Sequence, residues 1–426
     1  DGITTSGMLR NNTLTSHGDV VIKNASIIDN LEVAAAKITA TENIGTITDG
    51  ILISDGATTV SAQSILGTAF DAATADLTAA NSIEGIDVRV DTNAKLNSAS
   101  ILDSDVIVSD ADGSIEVKAT AIDGGSLRAD KVSFDEFATD ADIQVGAASA
   151  VRVLGAENIT VDNGGLVNIV SENDQDTTFT VAASDDVFLT QGNGNMLVDI
   201  TADGQVVTLT AAADIDGAVA GVDITAKNLI ITTAENVTVD TEIEQIKANV
   251  AYDLDLNEVD DLAVDLISAG RKAKIDAGGD ILDSADDRII DIVTPELALN
   301  AGGSIGTLTN ALDISTQKLT ADADALINLL NVSAQNVTVK KLIAGTSVYF
   351  AAEGSGEHRF TGDVIGADGD VKIDSAAGDL VFANFSTLEA KVDADIPAYG
   401  DITTEGIVFL KATDGDPDTT NSDLNI

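Results

Sequence analysis

Aliphatic and polar residues alternate in short runs along the whole chain. Ile86-Asp87-Val88-Arg89-Val90, Val106-Ile107-Val108, Ile115-Glu116-Val117, Val151-Arg152-Val153, Val198-Asp199-Ile200, Val222-Asp223-Ile224 and Val371-Lys372-Ile373 are examples. A period of two sends alternate side chains to opposite faces, so each run predicts a strand with one buried and one solvated side. The runs are about three to five residues long and are closed by Gly, Asn, Asp or Ser. Sandwich strands average ~5–6 residues and are commonly joined by hairpins, whereas here Asn-Gly and Asp-Gly hairpin signals do not dominate.

Whole phrases return as well. Asn158-Ile159-Thr160-Val161, Asn236-Val237-Thr238-Val239 and Asn336-Val337-Thr338-Val339 share one pattern, each preceded by Ala-Glu or Ala-Gln. A second phrase is Gly, then Asp or Ser, then an aliphatic, as in Gly18-Asp19-Val20, Gly113-Ser114-Ile115 and Gly378-Asp379-Leu380. Glycine supplies a left-handed corner, the polar side chain bonds the turning backbone, and the aliphatic points inward. Ala277-Gly278-Gly279-Asp280-Ile281 repeats 24 residues later as Ala301-Gly302-Gly303-Ser304-Ile305. Asp291-Ile292 and Asp313-Ile314 lie 22 residues apart, each leading to a leucine, Leu297 and Leu319. Constant strands with corners of variable length predict a solenoid. The expected fold is all-β, a right-handed parallel β-helix (β-solenoid) of ~18–20 coils of ~20–24 residues, at ~4.8 Å per coil a rod of roughly 90 Å.

Two stretches are ambiguous. Leu256, Val259, Leu262, Ala263, Leu266 and Ile267 fit one helical face, but Tyr252, Leu254 and Leu256, then Leu262, Val264 and Leu266, fit a period of two. Strands are expected there because the neighbours are strand-like. The Ala-rich stretch 68–82 leaves room for a short helical cap or excursion. Residues 1–410 read as one continuous solenoid and 411–426 as an acidic tail.

Composition narrows the choice. Apolar residues make up 44% of the chain, mostly Ala, Val, Ile and Leu, with no Trp, 10 Phe and 3 Tyr. Such residues suit many thin, similar layers better than one thick core. The 71 acidic residues outnumber the 22 basic ones, giving a net charge of −49. This argues against nucleic-acid binding through a basic surface and against attachment to an anionic bilayer. It keeps a long fibre soluble and resists side-by-side clumping. No apolar run reaches the ~18 residues of a membrane-spanning helix, so no membrane insertion is expected. The absence of cysteine rules out a disulfide framework and thiolate metal sites. The start at Asp1 reads as an internal or processed piece of something longer.

The run Asn300-Ala301-Gly302-Gly303-Ser304-Ile305-Gly306-Thr307, followed by Asn310-Ala311-Leu312-Asp313-Ile314 and Leu319, resembles the repeats of filamentous-haemagglutinin-like giant adhesins. Phe360-Thr361-Gly362-Asp363-Val364 through Gly378-Asp379-Leu380 is similar to them in style. The resemblance is sharpest over 275–390. It implies a right-handed parallel β-helix on a long secreted bacterial surface protein, hence an extracellular or cell-surface location.

Candidate chemistry is sparse. His17 and His358 are the only histidines, and neither builds a Ser/His/Asp arrangement; Glu357-His358-Arg359 reads as an exposed corner. The scarcity of aromatic and basic residues argues against a polysaccharide-degrading β-helix enzyme, so the chain is expected not to be an enzyme. Calcium is the better candidate. Asp414, Asp416, Asp418 and Asp423 place oxygens at intervals along the tail as calcium loops do, although Thr419 stands where such a loop has glycine and no Glu closes it. Asp110-Ala111-Asp112-Gly113 and Asp368-Gly369-Asp370 are shorter versions, equally explained as acidic turns. Asn11, Asn24, Asn158, Asn236, Asn331, Asn336 and Asn384 sit in glycosylation-type triplets, several of which a strand pattern already explains.

The expected function is a structural extracellular fibre or adhesin stalk, joined end to end with copies of itself or with further repeats of the same chain. A module that binds surface polysaccharide is the alternative. No cofactor is required on this view, and Ca2+ is the one ion the acidic loops suit. If those loops are specific, calcium raises the melting temperature more than magnesium at equal concentration and ionic strength. Equal shifts from the two ions, read by differential scanning calorimetry, leave only screening and remove the Asp414–Asp423 site.

Overall fold

The computed structural model describes residues 3–425 except 111–112, 124–125, 130, 136–140, 144–150, 155–157, 172–174, 286, 384–385, 391–393, 396–401, 405–408 and 413–423. Among the described residues all regular structure is β-strand, and no helix occurs. Strands of successive turns pair in parallel, forming a β-solenoid in which about 17 turns can be followed. The chain divides into two compact units, Asp1–Ala213 and Asp214–Ile426.

The first unit is built on a six-residue corner. Ile28-Asp29-Asn30-Leu31-Glu32-Val33, Ile47-Thr48-Asp49-Gly50-Ile51-Leu52, Ile65-Leu66-Gly67-Thr68-Ala69-Phe70, Ile83-Glu84-Gly85-Ile86-Asp87-Val88 and Ile101-Leu102-Asp103-Ser104-Asp105-Val106 occupy equivalent places in five successive turns. The third residue always has a positive φ: 49° at Asn30, 50° at Asp49, 54° at Gly67, 60° at Gly85 and 45° at Asp103. Glycine enters this left-handed region freely, and Asn and Asp enter it at the lowest cost among side-chain-bearing residues. One such residue redirects the chain, so the first and sixth positions both face inward. Ile28, Ile47, Ile65, Ile83 and Ile101 then stack in one buried column, and Val33, Leu52, Phe70, Val88 and Val106 in another.

Because a single residue makes the corner, the turn from Ile28 to Ile47 takes 19 residues and that from Ile65 to Ile83 takes 18, fewer than the 20–24 expected. Pairing also passes through the bends. The N–H groups of Asp49, Gly67 and Gly85 donate to the carbonyls of Leu66, Glu84 and Leu102 in the next turn, at 3.0, 2.9 and 2.9 Å. Strands consequently run on, 17 residues for Asp19–Ala35 and 16 for Ala69–Glu84, where runs of three to five were expected. The Ala-rich stretch 68–82 forms no helical excursion, and from Ala69 onward it belongs to the second of these strands.

The second unit has more open corners. One turn contributes His358–Phe360, Val364–Gly366 and Val371–Ser375 as separate strands. An inner column runs through Val237, Leu254, Ala273, Leu297, Leu319, Val339, Phe360 and Phe382. Its steps range from 17 residues (Val237 to Leu254) to 24 (Ala273 to Leu297). The rings of Phe360 and Phe382 stack with centroids 5.0 Å apart, and Phe350 meets Phe360 edge-on at 6.0 Å. Strands Asp253–Glu258 and Leu262–Ala269 resolve the ambiguous stretch. Leu254, Leu256, Leu262 and Val264 are buried at alternating positions, while Val259, which a helical face would bury, is 55% exposed.

A second column of this unit holds small residues: Ala277, Ala301, Ala323, Ala344, Gly366 and Ala390. Glu258 occupies the same column one turn before Ala277 and is buried. Its carboxylate accepts hydrogen bonds from the Thr241 hydroxyl (2.7 Å) and from the N–H groups of Ile243 (3.1 Å) and Val259 (2.9 Å). Burial pushes Glu258 up to about 7 against the pull of these donors. Outside, ion pairs cross from turn to turn: Lys23 with Glu42, Lys95 with Glu116, Arg271 with Asp253 and Lys341 with Asp322. Exposed pairs of this kind are worth ~0–1 kcal/mol each, so the columns inside carry the stability.

Two substitutions test the corner. Ile65→Ala is expected to cost about 2–5 kcal/mol by opening a cavity between Ile47 and Ile83. Gly67→Ala is expected to cost about 1–2 kcal/mol, since its φ is +54° and a Cβ there would lie 2.6 Å from Asp49 Oδ1. Urea unfolding midpoints equal to that of the parent would contradict this packing.

Candidate functional site

The face with the most varied chemistry lies in the second unit, over the inner column Ile281, Ile305, Ile327, Val348 and Val371. The strand Leu262–Ala269 spans this face unbroken, pairing through Leu262 with Ile281 and through Ile267 with Ile292. The next turn has surplus residues between those two anchors and loops out 284–285 and 287–291. The turn after does the same with 306–311, between Ile305 and the strand Leu312–Ser315. Each excursion presents an apolar side chain to solvent, Ile289 (64% exposed) and Leu308 (72%). Arg288, at φ 60°, pairs with Glu353, 65 residues further on, so the first loop is strapped across later turns. The Asn310 amide donates to Asp283 Oδ2 at 2.9 Å and ties the second loop to the strand end from which the first departs.

Asp291 and Asp313 are buried on this face. Asp291 Oδ2 accepts the Asp313 N–H at 2.8 Å. Burial pushes Asp291 up to about 8; the Asp313 N–H opposes this, and the neighbouring Asp283 and Asp313 carboxylates add to it. Asp313 is raised too, by burial first and then by the charge of Asp283, with Arg288 opposing. Asp291 therefore holds a proton at neutral pH and shares a hydrogen bond with Asp283. Among the described residues, no group of three or more His, Asp or Glu is arranged to hold a metal ion.

Further along the same face lies a cavity of ≈ 320 Å³ bordered by Leu308, Asn328, Tyr349, Ala351, Lys372 and Asp374, with Phe350 at its base. Two outward-facing columns frame it. Asn328, Tyr349 and Lys372 are register partners in three successive turns, as are Leu330, Ala351 and Asp374. The small Ala351 side chain leaves the middle of the second column open.

The residues singled out from the sequence fare differently. Asp414, Asp416, Asp418 and Asp423 lie outside the described residues, as do Ala111 and Asp112. Asp110 sits in a backbone turn, its carbonyl accepting the Gly113 N–H at 3.1 Å. Asp370 is also a turn residue, its N–H donating to Ser347 Oγ at 3.0 Å. Two asparagines of the recurring phrase bond between turns: Asn236 Oδ1 accepts the Asp253 N–H at 3.3 Å, and Asn336 Oδ1 accepts the Glu357 N–H at 3.1 Å. His17 is exposed on the first unit.

His358 overturns the exposed-corner expectation, because it is completely buried. It starts the strand His358–Phe360, so the alternation that turns Phe360 inward turns His358 inward as well. In register it stands between Val337 and Leu380. Neither ring nitrogen has a hydrogen-bond partner, and burial pushes its pKa down. Gly378 makes room for it, since a Cβ there would lie 2.8 Å from the ring. His358 preceding Phe360 by two was the available signal. The looped-out acids gave none, because nothing local in 284–291 distinguishes a covered aspartate from a solvated one.

Parallel turns, like-on-like columns and cross-turn ion pairs define a β-solenoid repeat protein. No family model matches the chain, and no curated protein or solved structure shows significant similarity to it.

The buried groups set opposite pH dependences. The unfolded chain protonates His358 near its ordinary 6.5, whereas the folded chain keeps it neutral. Its contribution to stability is therefore intact above pH 6.5 and is lost as pH falls, by up to ~1.4 kcal/mol per unit. Asp291 is protonated in the fold up to about 8 but only to 3.8 when unfolded. Its contribution is full below pH 3.8 and is lost as pH rises to about 8, with Glu258 acting likewise between 4.5 and about 7. Asp291→Asn is expected to flatten the fall between neutral pH and about 8. His358→Leu should flatten the acid limb and stabilise by ~1–3 kcal/mol at neutral pH by removing unpartnered nitrogens. Calorimetric melting from pH 4 to 9 reads both, and profiles parallel to the parent's would refute the assignment.

Proposed function

We propose that this chain is a structural, extracellular surface element, an adhesin-like stalk that extends from a cell and joins end to end with copies or further repeats of itself. The observation that carries this reading is the register: in each unit an inner column passes from turn to turn with the same residue type, Ile over Ile in the first and Ala over Ala in the second. The columns through Val33 and Val237 stay aliphatic or aromatic. A chain so built adds length by adding turns, each stabilised by its neighbours. The charge of −49 supports it, because like-charged elements stay apart laterally while backbone pairing acts along the stack. The resemblance of 300–319 to filamentous-haemagglutinin-like repeats supplies the bacterial surface as its setting. Calcium, held between acidic faces, is the ion this reading would add.

Small-angle scattering and negative-stain imaging, with and without calcium, test it. Rod-like particles with a fixed cross-section, lengthening with concentration, are expected. Compact particles of constant size at every concentration would overturn the stalk and its assembly together.

A further inference from the structure

We propose that the trough around Tyr349 binds a neutral pyranose unit of a polysaccharide, with the Tyr349 ring as the stacking surface. This goes beyond the stalk reading and does not depend on it. Six outward positions form a grid over three turns: Asn328 and Leu330, Tyr349 and Ala351, Lys372 and Asp374. Turns stack ~4.8 Å apart, a spacing comparable with the width of one sugar ring. Five of the six positions carry side chains that extend beyond Cβ. Ala351 does not, and the missing bulk opens the ≈ 320 Å³ space beside Tyr349, with Leu308 walling it from the looped-out segment. That volume lies at the small end of ligand sites and suits one ring better than a larger cofactor.

The chemistry of the walls selects the ligand. An aromatic ring gives an apolar face to the C–H side of a sugar, with a polar tip that stays solvated. The Tyr349 hydroxyl reaches Asp370 Oδ2 at 3.5 Å, which orients the ring. Sugar hydroxyls both donate and accept, and the trough offers both roles. Lys372 donates, Asp374 accepts, and Asn328, whose amide N–H is committed to the Thr307 carbonyl at 2.6 Å, retains Oδ1 as an acceptor. Lys372 and Asp374 cancel in charge at the trough, while the chain as a whole carries −49. Uronic or sulfated polymers are repelled at long range with no local cation excess to recover them, and a neutral saccharide escapes that cost.

The test is affinity gel electrophoresis of the full chain in gels containing mixed-linkage β-glucan, galactomannan or dextran, with alginate and polygalacturonate as acidic counterparts. Retardation by at least one neutral polymer is expected, falling at least tenfold in affinity for Tyr349→Ala. Ala351→Leu, which fills the trough but keeps the ring, should lose binding equally. Tyr252→Ala, at an exposed tyrosine outside the trough, should leave it unchanged. Circular dichroism confirms that each variant folds. No retardation by any neutral polymer, retardation only by the acidic ones, or equal retardation of parent, Tyr349→Ala and Ala351→Leu would each overturn the proposal. Scattering decides the stalk reading separately, so either can fail alone.

Discussion

A single turn of this chain can bury its aliphatic side chains only against the turns beside it, and its backbone groups have no partners except theirs. That dependence on parallel turn-to-turn pairing fixes nearly everything else. It requires each inward residue to lie over a counterpart of compatible size, which produces the isoleucine column from Ile28 to Ile101 and the alanine column from Ala277 to Ala390. It also explains a core with so few aromatic rings. Where Phe360 and Phe382 do occur, they stack on each other as register partners.

The same constraint governs the corners. A bend must not break the backbone ladder, and in the first unit one left-handed Asn, Asp or Gly suffices, with its N–H still paired to the next turn. The second unit uses wider corners and can loop out surplus residues, as at 287–291 and 306–311, because strands on either side keep their register. Chemical variety collects where the regular pattern is interrupted. The trough beside Tyr349, the strap from Arg288 to Glu353 and the covered Asp291 all lie on the face carrying those loops.

Buried polar groups mark the exceptions inside. Glu258 stands in a column of small residues and is held by a hydroxyl and backbone N–H groups. His358 stands between Val337 and Leu380 with neither nitrogen bonded. Satisfied and unsatisfied groups differ in consequence. The first anchors a corner, whereas the second is a standing cost in the fold that grows as the pH falls.

Alternation and a phrase recurring near one turn were sufficient for the fold, since both are local properties of the chain. The glycines of the Gly-Asp and Gly-Ser phrase, however, do not make the left-handed corners expected of them: Gly113, Gly279, Gly303, Gly362 and Gly378 have no positive φ. Glycine is needed there because neighbouring atoms approach too closely for a Cβ, as the Lys340 carbonyl oxygen does at Gly362 and the Gly356 carbonyl oxygen at Gly378. The Ala277–Ile281 and Ala301–Ile305 phrases lie one turn apart in the structure, with Ala277 over Ala301 and Ile281 over Ile305. The six-residue corner of the first unit was equally legible, in Ile28-Asp29-Asn30 and Ile47-Thr48-Asp49, but its third position changes between Asn, Asp and Gly, so a search for identical residues passes over it. The residues of the trough were not legible. Asn328, Tyr349 and Lys372 are 21 and 23 residues apart, and only the register of two particular turns sets them side by side. His358 and Asp291 belong with them: local pattern decides which way a side chain points, but what lies over it is decided by other turns and by how many residues each turn loops out.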